Sequence, residues 1–217
     1  MSSIVVVTGT DTGVGKTWVT AALAAACCHS GRDVRAVKLV ETGTAELSDE
    51  GEDGVQLARA TRQAAPMRAL RRYRTPVAAA EAAEREGFVF DLPAAIEEVR
   101  EIAAGAELTL VEGAGGLLAP LTWRETLLDV ARTLAAPVLL VAADRLGTLN
   151  HTLLTLAALE HSGTPCLGVV MNALPFVGGG DASRGGNAEA LRRVRTDIRV
   201  TETERAGWAR EVMEWVG

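Results

Sequence analysis

The feature that most constrains this chain is a glycine-rich segment between a short apolar run and an alanine-rich run near the N-terminus. Residues 4–8 read Ile-Val-Val-Val-Thr, residues 9–17 read Gly-Thr-Asp-Thr-Gly-Val-Gly-Lys-Thr, and the alanine-rich run continues to residue 30. A strand that enters such a turn and leaves it as a helix is typical of a P-loop, whose backbone N–H groups surround phosphate oxygens. The flanking strand and helix disfavour the alternative, a glycine-rich turn with a chance Gly-Lys-Thr.

The rest of the chain alternates short β-branched runs with longer runs rich in Ala, Leu and charged residues. This alternation is typical of a parallel sheet covered by crossover helices. It predicts strands at 4–8, 34–39, 108–112, 138–142 and 166–171, and helices at 17–30, 53–64, 76–86, 92–104, 125–135 and 148–161. We therefore predict an α/β fold, a P-loop NTPase-like and predominantly parallel sheet with helices on both faces.

The length favours a single domain over residues 1–217, because domains commonly hold about 100 to 200 residues. Residues 178–186 are rich in glycine and are expected to form a mobile loop. The C-terminal tail at 187–217 is too short for a core of its own, and we expect it to pack on the same domain.

Charge and hydropathy exclude several classes of protein. The formal net charge is −6 and only 4% of the residues are aromatic, so neither a cationic surface nor a stacking platform for nucleic acid is expected. The longest uncharged apolar run, 133–143, is shorter than the roughly 20 residues that span a membrane. No basic segment precedes residues 4–7, so we expect no secretory signal and a cytoplasmic location. The three cysteines are expected to be reduced core thiols.

Charged residues follow or end several predicted strands, where ligands of parallel sheets collect. Lys38 ends the second strand shortly before Thr42, and Glu112 ends a buried strand just before Gly113-Ala114-Gly115-Gly116. Carboxylates and hydroxyls are the ligands that Mg²⁺ takes beside phosphates, so Glu112 and Thr17 are candidate ligands. An ordinary strand-end lysine, and a glutamate that caps the loop's own amides, stay open as alternatives. Asp53 cannot be singled out by position alone, because it lies in the acidic run 49–53.

Five blocks, in order along residues 4–172, resemble the ATP-dependent dethiobiotin synthetases. They are the 9–17 segment, Lys38 with Thr42-Gly43, Val-Glu-Gly-Ala-Gly-Gly-Leu at 111–117, Leu-Gly-Thr-Leu-Asn-His at 146–151 and Val-Met-Asn at 170–172. The third and fourth blocks are the specific ones, since a P-loop is shared by many unrelated enzymes.

The resemblance implies a ligase of biotin biosynthesis. It would use ATP as co-substrate, with Mg²⁺, to close a ring on 7,8-diaminopelargonate with CO₂, and it would act as a homodimer. Lys16 and Lys38 would neutralise the transferring phosphoryl group and the carbamate, and Thr17, Asp53 and Glu112 would hold Mg²⁺. Positions matching the family's nucleotide-binding blocks are Gly13, Val14, Gly15, Lys16, Thr17, Trp18, Asp53, Glu112, Gly113, Ala114, Gly115, Asn172 and Ala173. Positions matching its diamine-binding blocks are Thr12, Thr42, Gly147, Thr148, Leu149 and Asn150, the last four contributed by the other subunit.

The chain departs from the family's pattern at three places. Leu39 stands where proline is usual, Glu41 stands where Gln is common, and residues 198–204 lack the proline of a Gly-x-Ile-Pro segment near the base. We therefore expect Asn172 to offer its amide to the adenine edge with little further discrimination among bases.

Two other classes of protein share the P-loop. One is a switch ATPase of the partitioning or metal-insertion kind, which usually carries a lysine early in the loop, whereas residues 9–12 hold no cation. The other is a nucleotide-binding module without catalysis, which does not explain why Lys38 and Glu112 both fall at strand ends.

Overall fold

The structure is a computed structural model that describes residues 2–45, 50–173 and 181–217. Its central feature is a six-stranded sheet in the order β2-β5-β1-β6-β7-β8, in which every neighbouring pair is parallel. The strands are β1 (Ser3–Gly9), β2 (Val34–Lys38), β5 (Leu108–Gly116), β6 (Val138–Ala143), β7 (Cys166–Asn172) and β8 (Val200–Glu202). Two short parallel strands, β3 (Val40–Glu41) and β4 (Arg71–Arg72), form a second small sheet.

The helices of the described residues cover both faces of the large sheet. They are α1 (Lys16–His29), α2 (Asp53–Thr61), α3 (Ala79–Arg85), α4 (Leu92–Ala104), α5 (Leu127–Thr133), α6 (Thr148–His161), α7 (Asn187–Val194) and α8 (Trp208–Trp215). Adjacent residues of β1 face opposite sides of the sheet. Val6 packs with Ile96 of α4 and Leu127 of α5, whereas Val5 packs with Leu23 of α1 and Val212 of α8. The predicted α/β fold with helices on both faces is confirmed.

Several element boundaries differ from the predicted ones. The predicted strand 34–39 ends at Lys38, and the chain continues as β3 in the small sheet. The predicted strand 108–112 runs on to Gly116, so Glu112 lies within β5 and does not end it. The helix predicted at 53–64 ends at Thr61 because Arg62 adopts a left-handed φ of 57°.

Two more predicted helices are shorter than expected at their N-terminal ends. The helix predicted from residue 76 begins at Ala79. The helix predicted from residue 125 begins at Leu127, since Thr126 and Asp129 form a capping box.

The tail adds a strand that the sequence pattern did not predict. β8 pairs in parallel with β7, and α8 packs against α1 through Trp208 and Val212. The tail thus extends the sheet and covers the helix that follows the P-loop. Within the described ranges, no helix is both long and apolar enough to cross a membrane.

Candidate active site

The P-loop lies between β1 and α1 in a tightly curled conformation. Gly13 and Gly15 have φ angles of 72° and 85°, in the left-handed region that side chains disfavour. Lys16 begins α1, and its Nζ donates a hydrogen bond of 3.0 Å to the carbonyl oxygen of Asp11. The lysine therefore reaches back over the loop to the space that its backbone surrounds.

Lys16 is only 6% exposed, and this burial disfavours its charged form. Burial, and then the nearby charge of Lys38, lower the pKa of Lys16 to about 8. The carboxylates of Glu112, Asp53 and Asp11 act in the opposite direction but do not cancel these two effects. An anion beside Lys16 would stabilise its ammonium form, as expected for a phosphate-binding lysine.

The second lysine, Lys38, joins two carboxylates at the carboxyl end of the sheet. Its Nζ lies 2.6 Å from Asp53 Oδ2 and 2.7 Å from Glu112 Oε1. The same Glu112 oxygen accepts a hydrogen bond of 2.7 Å from Thr17 Oγ1. Residues from β2, α1, α2 and β5 thus meet in one network, and this arrangement singles out Asp53 among its acidic neighbours in the described part of the chain.

Electrostatics keep Lys38 charged in this network. Burial alone would lower the pKa of Lys38, but the carboxylates of Glu112 and Asp53 outweigh burial and raise it above its ordinary value. Lys38 is 4% exposed and Glu112 is fully buried. The ammonium group is therefore a fixed positive charge deep in the site.

One observation shows that the carboxylates of this network suit a magnesium ion. Glu112 Oε2 is buried and has no hydrogen-bond partner among the described residues, whereas Oε1 binds Thr17 and Lys38. No group of three or more His, Cys, Asp or Glu in the described ranges could hold a metal ion by itself. This donor set suits Mg²⁺, which usually combines one or two carboxylates with phosphate oxygens and water.

A cleft of about 820 Å³ is lined by Thr17, Lys38 and Asp53 but not by the fully buried Glu112. Thr12 and Thr42 line it, together with Lys16, Lys38 and Asp53. The remaining predicted site residues on its wall are Gly13, Gly15, Trp18, Ala114 and Gly115. Gly113 does not line the cleft but packs closely on α5, because a Cβ at this position would lie 2.2 Å from a methyl carbon of Leu127. A short apolar wall at 76–79 and 119–121 faces the same space.

Asn172 and Ala173 lie beside the P-loop and not on the wall of the cleft. Asn172 Nδ2 donates to the carbonyl oxygen of Val14 at 3.0 Å, and its Oδ1 accepts from Thr203 Oγ1 at 3.0 Å. The backbone N–H of Ala173 also donates to Thr203 Oγ1 at 3.0 Å. Asn172 thereby connects the P-loop to β7 and to the tail, and within residues 2–45, 50–173 and 181–217 its second amide hydrogen and second oxygen lone pair have no partner.

The block Gly147, Thr148, Leu149 and Asn150 lies at the start of α6, away from the lining of the cleft. Gly147 is the N-cap, with a φ of 88° and no side-chain hydrogen bond to the first turn. The Arg145 side chain just before this block lies 3.4 Å from Asp11 of the P-loop.

Part of the predicted mobile loop at 178–186 adjoins this block. Residues 178–180 lie outside the described residues. In the described part, Asp181 accepts a hydrogen bond of 2.7 Å from the backbone of Leu146, and Gly185 donates one of 2.7 Å to Asp144. Residues 181–186 are thus held against the segment that leads into α6.

Sequence reasoning noted Glu41 only as a departure from the family's glutamine and gave it no role in the site. Glu41 lines the cleft, and its carboxylate accepts the backbone N–H groups of Asp53 and Gly54. Burial raises the pKa of Glu41 above its usual value. Its position between Lys38 and Thr42, two predicted site residues, is the sequence signal that could have indicated a role for it.

Trp208 was also missed, because nothing in the tail's sequence places it near the P-loop. Its ring stacks on that of Trp18, with centroids 5.7 Å apart.

Comparison with known proteins agrees with the blocks found in the sequence. The chain is 48% identical over 200 residues to the ATP-dependent dethiobiotin synthetase BioD of Mycobacterium sp. (strain JLS), a match covering 88% of this chain and 84% of that protein. It is 45% identical over 168 residues to the ATP-dependent dethiobiotin synthetase BioD of Anaeromyxobacter dehalogenans (strain 2CP-C), covering 76% and 74% of the two chains. The chain belongs to the dethiobiotin synthetase family.

The wider comparisons show the fold of this synthetase family member. A family model described as an AAA domain matches residues 4–199. A ParA family ATPase from Chlorobium tepidum TLS superposes with a TM-score of 0.54 at 11% identity, covering 93% of this chain and 82% of that one. At this identity the likeness shows a shared P-loop fold alone.

Proposed function

We propose that this protein catalyses the ATP-dependent carboxylation and ring closure of 7,8-diaminopelargonate with CO₂, giving dethiobiotin, ADP and phosphate. One amine adds to CO₂ and loses a proton, forming a carbamate. A carbamate oxygen then attacks the γ-phosphorus and releases ADP, and the second amine displaces phosphate from the mixed anhydride to close the ring. Membership of the synthetase family supports this reaction, and we expect it to take place in the cytoplasm.

The observation that carries the proposal is the network joining Lys38, Asp53, Glu112 and Thr17 beside the P-loop. A charge-stabilised phosphoryl transfer needs fixed cations next to the transferring group, more than it needs an acid or a base. Lys38 is such a cation, because two carboxylates hold its Nζ at 2.6 and 2.7 Å. A nucleotide-binding module without catalysis has no use for a second buried lysine beside its P-loop.

The two lysines and the group of oxygen ligands have separate roles in the proposed reaction. Lys16 binds the β and γ phosphates, and Lys38 neutralises the carbamate and the transferring phosphoryl group. Thr17 Oγ1, Asp53 and Glu112 would hold Mg²⁺, which supplies neutralisation of phosphate charge when it is bound. Glu112 can keep Lys38 on Oε1 and offer Oε2 to the ion.

The cleft also offers groups for the diamine. Thr12 and Thr42 line the cleft together with Lys16 and Lys38, and their hydroxyls would orient the amines. The apolar wall at 76–79 and 119–121 can contact the alkyl part of the substrate.

The experiment that tests the proposal is phosphate release with and without each co-substrate. We expect release from ATP that requires both the diamine and bicarbonate, together with one dethiobiotin formed per phosphate. Turnover that ignores the diamine would contradict the proposal and indicate a switch ATPase. Nucleotide binding without any turnover would indicate a binding module.

We further propose a homodimer in which Gly147, Thr148, Leu149 and Asn150 of one subunit bind the carboxylate of the diamine in the other subunit's cleft. The start of α6 is suited to this role, because a helix N-terminus presents free N–H groups and a positive dipole to an anion. The absence of this block from the lining of its own cleft supports sharing between subunits.

Subunit complementation tests the shared site. Lys38→Gln and Asn150→Asp are each expected to be inactive alone, the second because a carboxylate at position 150 would repel that of the diamine. Activity should return when they are mixed, since one hybrid cleft then carries neither substitution. A fully active monomer at nanomolar protein would contradict the proposal.

A further inference from the structure

We propose that Glu41 is a positioning residue that fixes Asp53 in the orientation needed to hold Mg²⁺. The proposal rests on the proposed function only in assigning Asp53 to the magnesium site.

Glu41 is a buried carboxylate, and a buried charge is costly unless hydrogen bonds compensate for its lost hydration. It lies at the end of β3 and is 4% exposed. Its Oε1 accepts a hydrogen bond of 2.6 Å from the backbone N–H of Asp53, and its Oε2 accepts one of 3.2 Å from that of Gly54. Both bonds are to the first turn of α2, where backbone N–H groups lack partners within the helix.

The helix depends on Glu41 because its own N-cap residue does not cap it. Glu52 is the N-cap of α2 but makes no side-chain hydrogen bond to the first turn. Its carboxylate instead accepts from Arg68 and Arg72 of the neighbouring segment. A carboxylate from another element therefore performs the capping, and it also complements the positive end of the helix.

Asp53 is held by two groups, one at its backbone and one at its side chain. Glu41 binds the backbone N–H of Asp53, while Lys38 binds its side-chain Oδ2 at 2.6 Å. Gly54 seats the helix on the other side, because a Cβ there would lie 2.3 Å from the backbone nitrogen of Ala69. Loss of Glu41 would release the backbone of Asp53 without removing any group expected to touch the metal.

The expected size of the effect follows from metal sites in general. Removing a partner that orients a ligand typically weakens metal binding by about 10- to 100-fold. We expect Glu41→Ala to raise the Kd for Mn²⁺, measured by electron paramagnetic resonance with a non-hydrolysable ATP analogue, at least about tenfold. The Kd of the analogue in EDTA is expected to stay within twofold of wild type.

Asp91→Ala provides a matched control for a lost cap. Asp91 is the N-cap of α4, and its Oδ1 accepts a hydrogen bond of 2.9 Å from Ala94 in a helix away from the cleft. This variant is expected to lower the melting temperature and to leave the Kd for Mn²⁺ unchanged. If Glu41 had a purely structural role, Glu41→Ala would behave like Asp91→Ala: the melting temperature would fall and the Kd for Mn²⁺ would stay unchanged.

Glu41→Gln keeps the proposal testable if Glu41→Ala does not fold. Its amide can accept one of the two backbone hydrogen bonds, so an intermediate Kd for Mn²⁺ is expected. A Kd within twofold of wild type in a folded Glu41 variant would overturn the proposal, as would an equal loss of analogue affinity in EDTA. Neither measurement involves the diamine or turnover, so failure of the proposed reaction would be seen separately.

Discussion

Replacing Lys38 by methionine removes the ammonium group while keeping a side chain of similar length. In the free protein, this leaves Glu112 buried with the Thr17 hydroxyl on Oε1, and leaves Asp53 without its 2.6 Å contact to Nζ. In the reaction, it removes the cation that we assign to the carbamate and the transferring phosphoryl group. The variant therefore tests a structural and a catalytic role at once, with separate measurements.

The structural cost can be sized from the geometry of the network. Removing one partner of a buried ion pair typically costs about 3 to 5 kcal/mol. The lower end applies here because the Asp53 side chain is 34% exposed and water can solvate it. For a chain of this length, each kcal/mol lowers the melting temperature by about 2 to 4 °C, so a loss of about 3 kcal/mol corresponds to about 6 to 12 °C.

The catalytic cost is expected in turnover and not in nucleotide binding. Loss of one group that stabilises charge in the transition state typically costs about 2.7 to 4 kcal/mol, or about a hundred- to a thousandfold in kcat. Affinity for an ATP analogue should stay within about threefold, because Lys16 and the loop N–H groups keep their phosphate contacts. Calorimetric titration measures the affinity for the analogue, thermal unfolding without nucleotide measures the stability, and dethiobiotin formation measures the turnover.

Arg35→Met is the matched control on the same strand. Arg35 pairs with Asp33, and their side chains are 29% and 52% exposed, so solvent screens the pair. Exposed pairs contribute about 0 to 1 kcal/mol, so this variant should keep its stability and its turnover. Turnover of Lys38→Met within threefold of wild type would refute the catalytic role, and a melting temperature equal to that of Arg35→Met would refute the structural one.

Three further predictions concern the P-loop, helix α2 and a thiol. Lys16→Ala should weaken the affinity for ATP as well as turnover, since it removes a phosphate contact that exists before the reaction; an unchanged Kd by calorimetry would contradict this. Gly54→Ala should destabilise the protein by about 1 to 3 kcal/mol in denaturant unfolding, because the new Cβ would meet backbone atoms. This cost should outweigh the better helix propensity of alanine. Equal or greater stability would contradict the close packing at Gly54. Burial raises the pKa of Cys166 to about 11, so its alkylation by iodoacetamide at pH 8 should be at least about tenfold slower in the folded than in the unfolded chain, and equal rates would contradict this.

Base selectivity tests the role of Asn172. With one amide hydrogen and one lone pair of Asn172 unpartnered in the described part of the chain, discrimination between bases should amount to about 1 to 3 kcal/mol. We therefore expect ATP to be used and CTP, GTP and UTP to support turnover within roughly a hundredfold, as about 1.4 kcal/mol corresponds to each tenfold. A kcat/KM for ATP that exceeds the others by about ten-thousandfold would show that further residues enclose the base.

Local patterns were sufficient for most of the fold. The strand, glycine-rich turn and helix around residues 4–30 follow one another in the chain, so their spacing alone predicts the P-loop. Buried parallel strands appear as continuous apolar runs, which made five of the six strands in the large sheet visible in the sequence. β8 was missed because it is three residues long and becomes a strand only by pairing with β7.

Tertiary structure decided the contacts of the site, because they join residues far apart in the chain. Lys38 and Glu112 are 74 positions apart, and they meet because β2 pairs with β5 in a register that sets one opposite the other. The sequence offered Asp53 within a run of acidic residues, and the start of α2 beside Lys38 distinguishes it. The capping of that helix by Glu41 is equally non-local, since hydrophobic periodicity carries no information about which carboxylate will satisfy a helix N-terminus. The sequence alone therefore determined the fold and the kinds of side chain available at one sheet edge, and packing determined which of these side chains contact one another.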